Sequence, residues 1–297
     1  NAFHYERQMD AGFALYQRLG WHSVKTGYVA DAGGARVRGR DGLPQLAWHE
    51  SQAMAQHHMR VIEAAARHQV AVNAHEPFKD TGLRRTWPNM VSREGARGME
   101  FNAWGQPGNP PEHELNLVFT RLLAGPMDYT PGIFGMETQS PDGIATTWAK
   151  QLALYVTIYS PLVMAADLLE HYEANPGPFQ FIKDVVTDWS ETRVLNGEIG
   201  DFVTIVRKDR NADQWFLGAM TDEHPRVLEA SLSFLDPDRR YRAEIYRDAP
   251  DAHWKTNREA IIIESRYVTA SDTLVLRLAP GGGQAIRFVP TGRGRRA

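Results

Sequence analysis

The chain contains no cysteine, which excludes disulfide bonds, thiolate nucleophiles and cysteine-ligated zinc. It also lacks any run of about 18 consecutive apolar residues, so we expect no membrane-spanning helix. Neither sign of charge is in large excess, because 36 acidic and 33 basic residues are mixed along the chain for a formal net charge of −3. No basic field is available to gather nucleic acid or anionic lipid, and we expect neither as a partner.

The hydrophobic content, 42% of 297 residues, is enough for one large or two medium domains. Over the first 185 residues, short buried runs alternate with longer helical patterns, which predicts parallel βα units. Gly20 is a predicted helix C-cap. The predicted helices span residues 3–19, 48–68, 115–124 and 144–160. The predicted strands span residues 22–29, 70–76, 90–93 and 127–129, with a Gly- and Arg-rich loop over 30–42.

From residue 186 onward the hydrophobic period changes from helical to alternating, with Asp-Pro, Gly-Gly and Asn-Ala turn signals between the runs. The sequence therefore predicts an α/β protein: residues 1–185 form the C-terminal part of a (β/α)8 TIM barrel, and residues 186–297 an antiparallel β-sandwich. Strands are predicted at residues 202–206, 215–219, 228–234, 241–246, 260–263, 274–278 and 285–289.

Three glutamates stand out in residues 70–104, namely Glu76, Glu94 and Glu100. Glu76 closes a short apolar run, as a barrel strand does when it delivers a side chain to a site. Carboxylates at strand ends cost free energy unless they are paired or bind a cation, and glutamate oxygens suit calcium best. The alternative is that Glu94 and Glu100 pair with Arg93 and Arg97 on a solvated turn.

Other polar residues near these acids are candidates for binding. His75 can be a sugar-contacting residue at the end of its strand or a hydrogen-bonded core histidine. Lys25 is an unusual charge within an apolar run. Three aromatic residues, Trp87, Phe101 and Trp104, flank the acids and are candidates for packing against sugar rings. Four histidines of one helix, at positions 49, 57, 58 and 68, are expected to be surface residues.

With these residues laid out, the sequence resembles glycoside hydrolase family 97, a family of α-glucosidases and α-galactosidases. The matching motifs occur in order over most of residues 1–165. They are Tyr5-Glu6-Arg7, Val24-Lys25-Thr26-Gly27-Tyr28-Val29, Val72-Asn73-Ala74-His75-Glu76, the Thr81–Asn89 segment TGLRRTWPN, the Glu94–Glu100 segment EGARGME, Phe119-Thr120-Arg121, and the Gly125–Gly132 segment GPMDYTPG.

The resemblance implies a role for each candidate residue. Glu100 matches the general acid, Glu76 a general base that also binds calcium, and Glu94 a further calcium ligand. Glu100 is also expected to lie at the calcium ion, and Lys25 and His75 match sugar-contacting positions. The retaining branch of the family carries an aspartate nucleophile where this chain has Gly27, so the resemblance implies the inverting, calcium-dependent α-glucosidase branch.

The expected substrate is thus an oligosaccharide or a small α-glucoside, and the expected cofactor is Ca²⁺. The alternatives are an α-galactosidase of the same family and a non-catalytic carbohydrate-binding module. The resemblance also implies a periplasmic or secreted protein, of which this chain is the C-terminal portion. It places a second base glutamate and another calcium ligand upstream of Asn1, so activity is expected to depend on residues outside this sequence.

Overall fold

The computed structural model describes residues 1–28, 34–136, 138 and 143–293, and these residues form two compact units. Among the described residues, no helix combines the length and the apolar character that a bilayer span requires. The predicted barrel, sandwich and boundary at residue 186 stay predictions. The first unit comprises Asn1–Ala96, Arg121–Asp128 and Ser160–Leu162, and the second comprises Arg97–Thr120, Tyr129–Tyr159 and Val163–Ala297.

The first unit begins with helix α1, Ala2–Leu19, as its hydrophobic spacing predicts. The side chain of Asn1 caps its N-terminus by accepting from the backbone N–H of His4. Gly20 ends the helix with a φ of 76°, a left-handed conformation that glycine adopts without steric cost. Both predicted features of this segment are confirmed.

A three-stranded parallel sheet follows, with strand order β1-β4-β5. Helix α2, Gln52–Arg67, connects to β4 and is capped by Ser51. The apolar face of α2 packs against the sheet in a core that includes Phe13 and Val72. The three parallel strands are β1 (Ser23–Thr26), β4 (Ala71–Ala74) and β5 (Met90–Arg93).

The prediction of a loop over residues 30–42 is wrong for residues 34–38 and confirmed for residues 39–42, which form a turn. Residues Gly34–Arg38 form strand β2, which pairs antiparallel with β3, Pro44–Trp48. Ala35 and Val37 are buried between the arginines, so alternation was present but was obscured by the Gly and Arg content. Residues 29–33, the end of the predicted strand 22–29 and the start of the loop, lie outside the described residues.

The second unit contains α3 (His113–Phe119), α4 (Trp148–Thr157), α5 (Leu169–Ala174) and α6 (Pro176–Asp184), followed by a sheet-rich region. Its six-stranded antiparallel sheet has the order β11-β10-β13-β8-β7-β6, and β9 pairs with β12. The strands are β6 (Trp189–Glu198), β7 (Phe202–Asp209), β8 (Trp215–Thr221), β9 (Arg226–Ser231), β10 (Arg239–Asp248), β11 (Ile261–Val268), β12 (Thr273–Leu278) and β13 (Gly283–Arg293).

The change to an alternating period therefore predicted seven of these strands in order and missed β6, whose side chains are mostly exposed or half-buried. The structure assigns no strand to residues 127–129, although Met127, Asp128 and Tyr129 are all buried. Burial of an irregular segment produced the apolar run that resembled a strand.

Candidate active site

The carboxyl ends of β1, β4 and β5 meet at one edge of the parallel sheet. Gly27 follows β1, His75 and Glu76 follow β4, and Glu94 follows β5. In open α/β sheets this edge is where ligands bind, because the loops that leave it converge. The fold of the first unit thus brings together three of the predicted site positions that lie within it: His75, Glu76 and Glu94.

Glu76 lies in a left-handed backbone conformation, with a φ of 46°. A non-glycine residue in this region costs about 1–3 kcal/mol and is held there only by its surroundings. The backbone N–H of Tyr28 donates to Glu76 Oε2 at 2.7 Å and fixes the carboxylate.

Tyr28 is itself anchored by a buried chain of hydrogen bonds. Its hydroxyl lies 2.8 Å from His57 Nε2, and His57 Nδ1 lies 2.6 Å from Glu6 Oε1. Because the Glu6 carboxylate can only accept, Nδ1 carries the proton and Tyr28 donates to Nε2. Burial lowers the pKa of His57, and hydrogen bonds from Arg60 and His57 lower the pKa of Glu6 against the opposing effect of its own burial.

His58 is also buried, and desolvation lowers its pKa to about 4. Its ring packs edge-on against Tyr28 with 5.0 Å between the ring centroids, and it hydrogen-bonds the backbone of Glu76. The expectation that His57 and His58 are surface residues is wrong. Their partners, Glu6 and Glu76, are distant in sequence, and no local pattern around the histidines indicates them. His68 matches the expectation better, because it lies near the surface beside Asp10.

His75 is 1% exposed and occupies the centre of this edge of the sheet. Its Nε2 lies 3.0 Å from Asp128 Oδ2, and the side-chain amide of Asn73 donates to the same oxygen. Since Asp128 accepts here, Nε2 carries the proton and Nδ1 is left as an acceptor in the neutral ring. Nδ1 has no hydrogen-bond partner among the described residues and lies 3.5 Å from Glu94 Oε2.

The turn that carries Glu94 is held by Arg121, which donates to the carbonyl oxygens of Arg93 and Glu94 at 3.2 and 3.1 Å. Gly95 follows with a φ of 66°, and a Cβ there would lie 3.0 Å from Arg121 Nε, so the backbone conformation and the nearby guanidinium group both favour glycine. Arg93 donates to the carbonyl oxygen of Phe78 and lies over its ring.

Lys25 lies on β1 opposite Asn73, and its side chain is exposed. It lines a cavity of about 320 Å³ together with Tyr5, Tyr16 and Gly27. That volume falls at the lower end of the range for small-molecule sites, roughly 300–1,000 Å³. The cavity combines two aromatic rings with a cationic side chain, a composition suited to a sugar with its hydroxyl groups.

Glu100 belongs to the second unit, on a 3₁₀ helix that spans Met99–Ala103. Its side chain is exposed, whereas Met99 and Asn102 on either side are buried. The guanidinium group of Arg97 lies over the ring of Phe101 at 4.3 Å. Of the flanking tryptophans, Trp104 is 55% exposed, and Trp87 packs against the core of the first unit.

Two residues of the first unit, His75 and Glu94, offer ligand atoms close enough together to hold one metal ion. Glu94, and Glu76 at the end of the neighbouring strand, carry carboxylate oxygens, the hard donors that calcium prefers. The buried Nδ1 of His75 lies 3.5 Å from Glu94 Oε2 and has no hydrogen-bond partner among the described residues, so this edge is a candidate place for a further group.

Comparison with known proteins gives two matches to family models. The model described as "Glycoside hydrolase 97" matches residues 1–96, and "Glycosyl-hydrolase 97 C-terminal, oligomerisation" matches residues 188–289. The chain belongs to glycoside hydrolase family 97. A solved family 97 enzyme from Pseudoalteromonas sp. strain K8, in complex with acarbose, is 50% identical with a TM-score of 0.92. The match covers 98% of this chain and 46% of that enzyme.

One curated relative is named a retaining alpha-galactosidase and a second is named a probable one. The retaining alpha-galactosidase of Bacteroides thetaiotaomicron is 32% identical over 247 residues, which cover 80% of this chain and 37% of the relative. The probable retaining alpha-galactosidase of Streptomyces bingchenggensis is 30% identical over 242 residues, 80% of this chain and 34% of the relative. The matched part of the chain thus covers less than half the length of each of these three proteins.

Proposed function

We propose that this chain provides part of the active site of a calcium-dependent, inverting α-glucosidase that releases glucose from α-glucosides. In this proposal the parallel strands of the first unit belong to a (β/α)8 barrel, and the sheet-rich region is the β-sandwich of the family. We further propose that the protein is periplasmic or secreted, as the resemblance to family 97 implies.

The observation that carries the choice of mechanism is the surroundings of Gly27. A Cβ at this position would lie 3.1 Å from Glu76 Oε2 and 3.7 Å from the Cβ of His75. A side chain there would press against the Glu76 carboxylate, and an acidic one would add a like charge next to it. An aspartate at this position would crowd and repel the Glu76 carboxylate as it is placed here, which favours inversion.

Inversion needs one carboxylic acid to protonate the leaving oxygen and one carboxylate to activate a water on the opposite face of the sugar. Glu76, with Oε2 held by Tyr28, presents Oε1 as the acceptor of a proton from water. Glu100 is the proposed acid. His75 accepts a hydrogen bond from a sugar hydroxyl through Nδ1, and Lys25 donates to another from the wall of its cavity.

Calcium is the proposed cofactor, with Glu76, Glu94 and Glu100 as ligands from this chain. A bound calcium ion would polarise the site and hold together carboxylates that otherwise repel one another. In this proposal Glu76 and Glu100 carry out proton transfer, and His75 and Lys25 bind the sugar.

The α-galactosidase alternative is favoured by the names of the two curated relatives. The α-glucosidase proposal is favoured by the more similar solved enzyme, which is 50% identical and was captured with acarbose and, as a variant, with panose. A non-catalytic carbohydrate-binding module is the third possibility, in which the exposed Trp104 would contact sugar without turnover.

The test uses protein expressed from the complete coding sequence. We expect a kcat/KM for 4-nitrophenyl α-glucoside at least about 10-fold above that for the α-galactoside, since the two sugars differ in one hydroxyl configuration. Proton NMR of the first-formed product should show β-glucose. Initial release of the α-anomer, or preference for the galactoside, would overturn the proposal.

A substitution at the acid separates an enzyme from a binding module. Glu100→Gln removes the transferable proton while keeping the shape of the side chain, and we expect turnover of maltose to fall about 10²–10⁴-fold. The matched control is Glu170→Gln, an exposed glutamate of the same unit at the start of α5, which should leave turnover unchanged. Wild-type protein that binds maltose without hydrolysing it would instead identify a binding module.

A further inference from the structure

The backbone around Glu100 is held at several points by groups of the second unit. The N–H of Met99 donates to the carbonyl oxygen of Tyr129 at 2.9 Å. The side-chain amide of Asn109 donates to the carbonyl oxygen of Gly98, also at 2.9 Å, and His113 Nε2 lies 2.8 Å from the carbonyl oxygen of Arg97. The chain is therefore fixed immediately before Glu100.

It is fixed after Glu100 as well. Asn102 is 1% exposed, and its Oδ1 accepts the backbone N–H of Asn109 at 2.7 Å. Asn109 thus bonds the segment on both sides of Glu100, through its side chain and its backbone. Glu100 is exposed on a segment whose neighbours are buried and hydrogen-bonded, so the backbone of this segment limits where its side chain can point.

A buried network lies behind the Tyr129 carbonyl. The Tyr129 hydroxyl donates to Glu114 Oε1 at 2.5 Å, and Lys150 Nζ lies 3.2 Å from Glu114 Oε2. Lys150 also donates to the carbonyl oxygens of Pro111 at 2.5 Å and Thr221 at 3.2 Å. Tyr129, Glu114 and Lys150 are each no more than 2% exposed, so the ion pair and the phenol are buried together.

A buried ion pair is an expensive way to fill a core, because apolar side chains of the same volume usually stabilise a protein as well or better. What such a pair adds is a fixed orientation of its two side chains, because each buried charge must keep its partner. Here the ion pair fixes the position of Tyr129, because the Tyr129 hydroxyl donates to Glu114. The carbonyl oxygen of Tyr129 in turn accepts from the N–H of Met99, the residue before Glu100.

We propose that Lys150, Glu114 and Tyr129 are positioning residues that align Glu100 for proton donation to the leaving oxygen. The inference rests on the proposed function, in which Glu100 is the general acid. A general acid must lie within hydrogen-bond reach of the oxygen it protonates, and a displacement of about 1 Å can cost on the order of 100-fold in rate.

This role predicts a dependence on the leaving group. The leaving group of maltose is the 4-oxygen of its second glucose, which leaves readily only when the acid protonates it. The leaving group of α-glucosyl fluoride is fluoride, which needs that proton far less. Loss of alignment at Glu100 should therefore slow maltose hydrolysis and spare the fluoride. A general loss of folding or of sugar binding would slow both substrates alike.

The experiment compares Tyr129→Phe with wild type in protein from the complete coding sequence. We expect kcat for maltose to fall about 10- to 100-fold with little change in KM, and kcat for α-glucosyl fluoride to change less than about 3-fold. Glu114→Gln, which keeps the volume but removes the charge, should show the same contrast. The control is Tyr241→Phe, which removes the hydroxyl of an equally buried tyrosine in β10 and should spare both substrates.

The outcomes distinguish the positioning role of Tyr129, Glu114 and Lys150 from the assignment of Glu100 as the general acid. Equal losses with both substrates in Tyr129→Phe and Glu114→Gln, or no loss with either, would overturn the positioning role. Glu100→Gln is measured in parallel with the same two substrates. If it shows no leaving-group dependence, the assignment of Glu100 as acid fails. If Glu100→Gln shows the leaving-group dependence and neither Tyr129→Phe nor Glu114→Gln shows it, only the positioning inference fails.

Discussion

Asp248 offers a prediction whose size follows from its surroundings. It lies at the end of β10, is 4% exposed, and accepts three hydrogen bonds. The Thr147 hydroxyl donates to Oδ1 at 2.6 Å, and the backbone N–H groups of Ala279 and Gly283 donate to Oδ2 at 2.8 and 2.9 Å. Burial nevertheless outweighs these bonds and raises the pKa of Asp248 to about 6.

The raised pKa makes stability depend on pH with a defined sign. The folded state binds the proton more tightly than the unfolded chain, where the pKa of aspartate is about 3.9. The stabilisation by Asp248 is therefore fully present below about pH 4 and is lost as the pH rises to about 6. A pKa difference of two units corresponds to a contribution of about 3 kcal/mol to the free energy of unfolding. About 2 kcal/mol of this contribution is lost between pH 4.5 and 7.5.

The assay is urea unfolding followed by tryptophan fluorescence at pH 4.5 and 7.5. Asp248→Asn keeps the shape, and its oxygen can still accept from both backbone N–H groups. We expect the free energy of unfolding of wild type, relative to this variant, to fall by about 2 kcal/mol between the two pH values. Asp251→Asn, at an exposed aspartate, is the control and should give no such change. A wild-type-to-variant difference that is the same at both pH values would refute the reasoning.

Three further predictions concern the proposed site. Gly27→Ala places a Cβ 3.1 Å from Glu76 Oε2, so we expect kcat to fall about 10-fold at an unchanged melting temperature; an unchanged kcat would contradict the tight fit. Tyr28→Phe removes the hydroxyl that donates to buried His57, and we expect the free energy of unfolding in urea to fall by about 1–3 kcal/mol. An unaltered unfolding midpoint would argue against this hydrogen bond. Removing calcium with EDTA should abolish hydrolysis of 4-nitrophenyl α-glucoside. Activity should return on adding Ca²⁺ but not Mg²⁺, because the glutamate donors suit the larger ion. Full activity after chelation would exclude the proposed cofactor.

The elements that could be predicted from sequence are those whose signals are local. Helix α1 has an amphipathic spacing and a glycine at its end, and strands β4 and β5 are short apolar runs. Glu76 stood out because a charge at the end of such a run is unusual. The alternating runs after residue 200 predicted their strands for the same reason, since one face of each is buried.

The elements that could not be predicted depend on partners far along the chain. His57 is buried because Glu6, 51 residues away, accepts from its ring, and nothing near residue 57 indicates this. The charge of Lys150 is buried because Glu114 lies 36 residues earlier in sequence and beside it in space. Strand β2 was missed for a different reason, because two buried positions alternate with arginines that dominate its composition.

The contact between Lys150 and the carbonyl oxygen of Thr221 has a consequence for engineering. Thr221 ends β8, so the sheet-rich region supplies one of the acceptors that hold the ammonium group behind Glu100. A shortened protein that ends at residue 185 would lose that acceptor. Because this acceptor is a backbone oxygen, a chimaera that exchanges the sheet should keep the contact only where the new strand places a carbonyl oxygen at the same point beside Lys150.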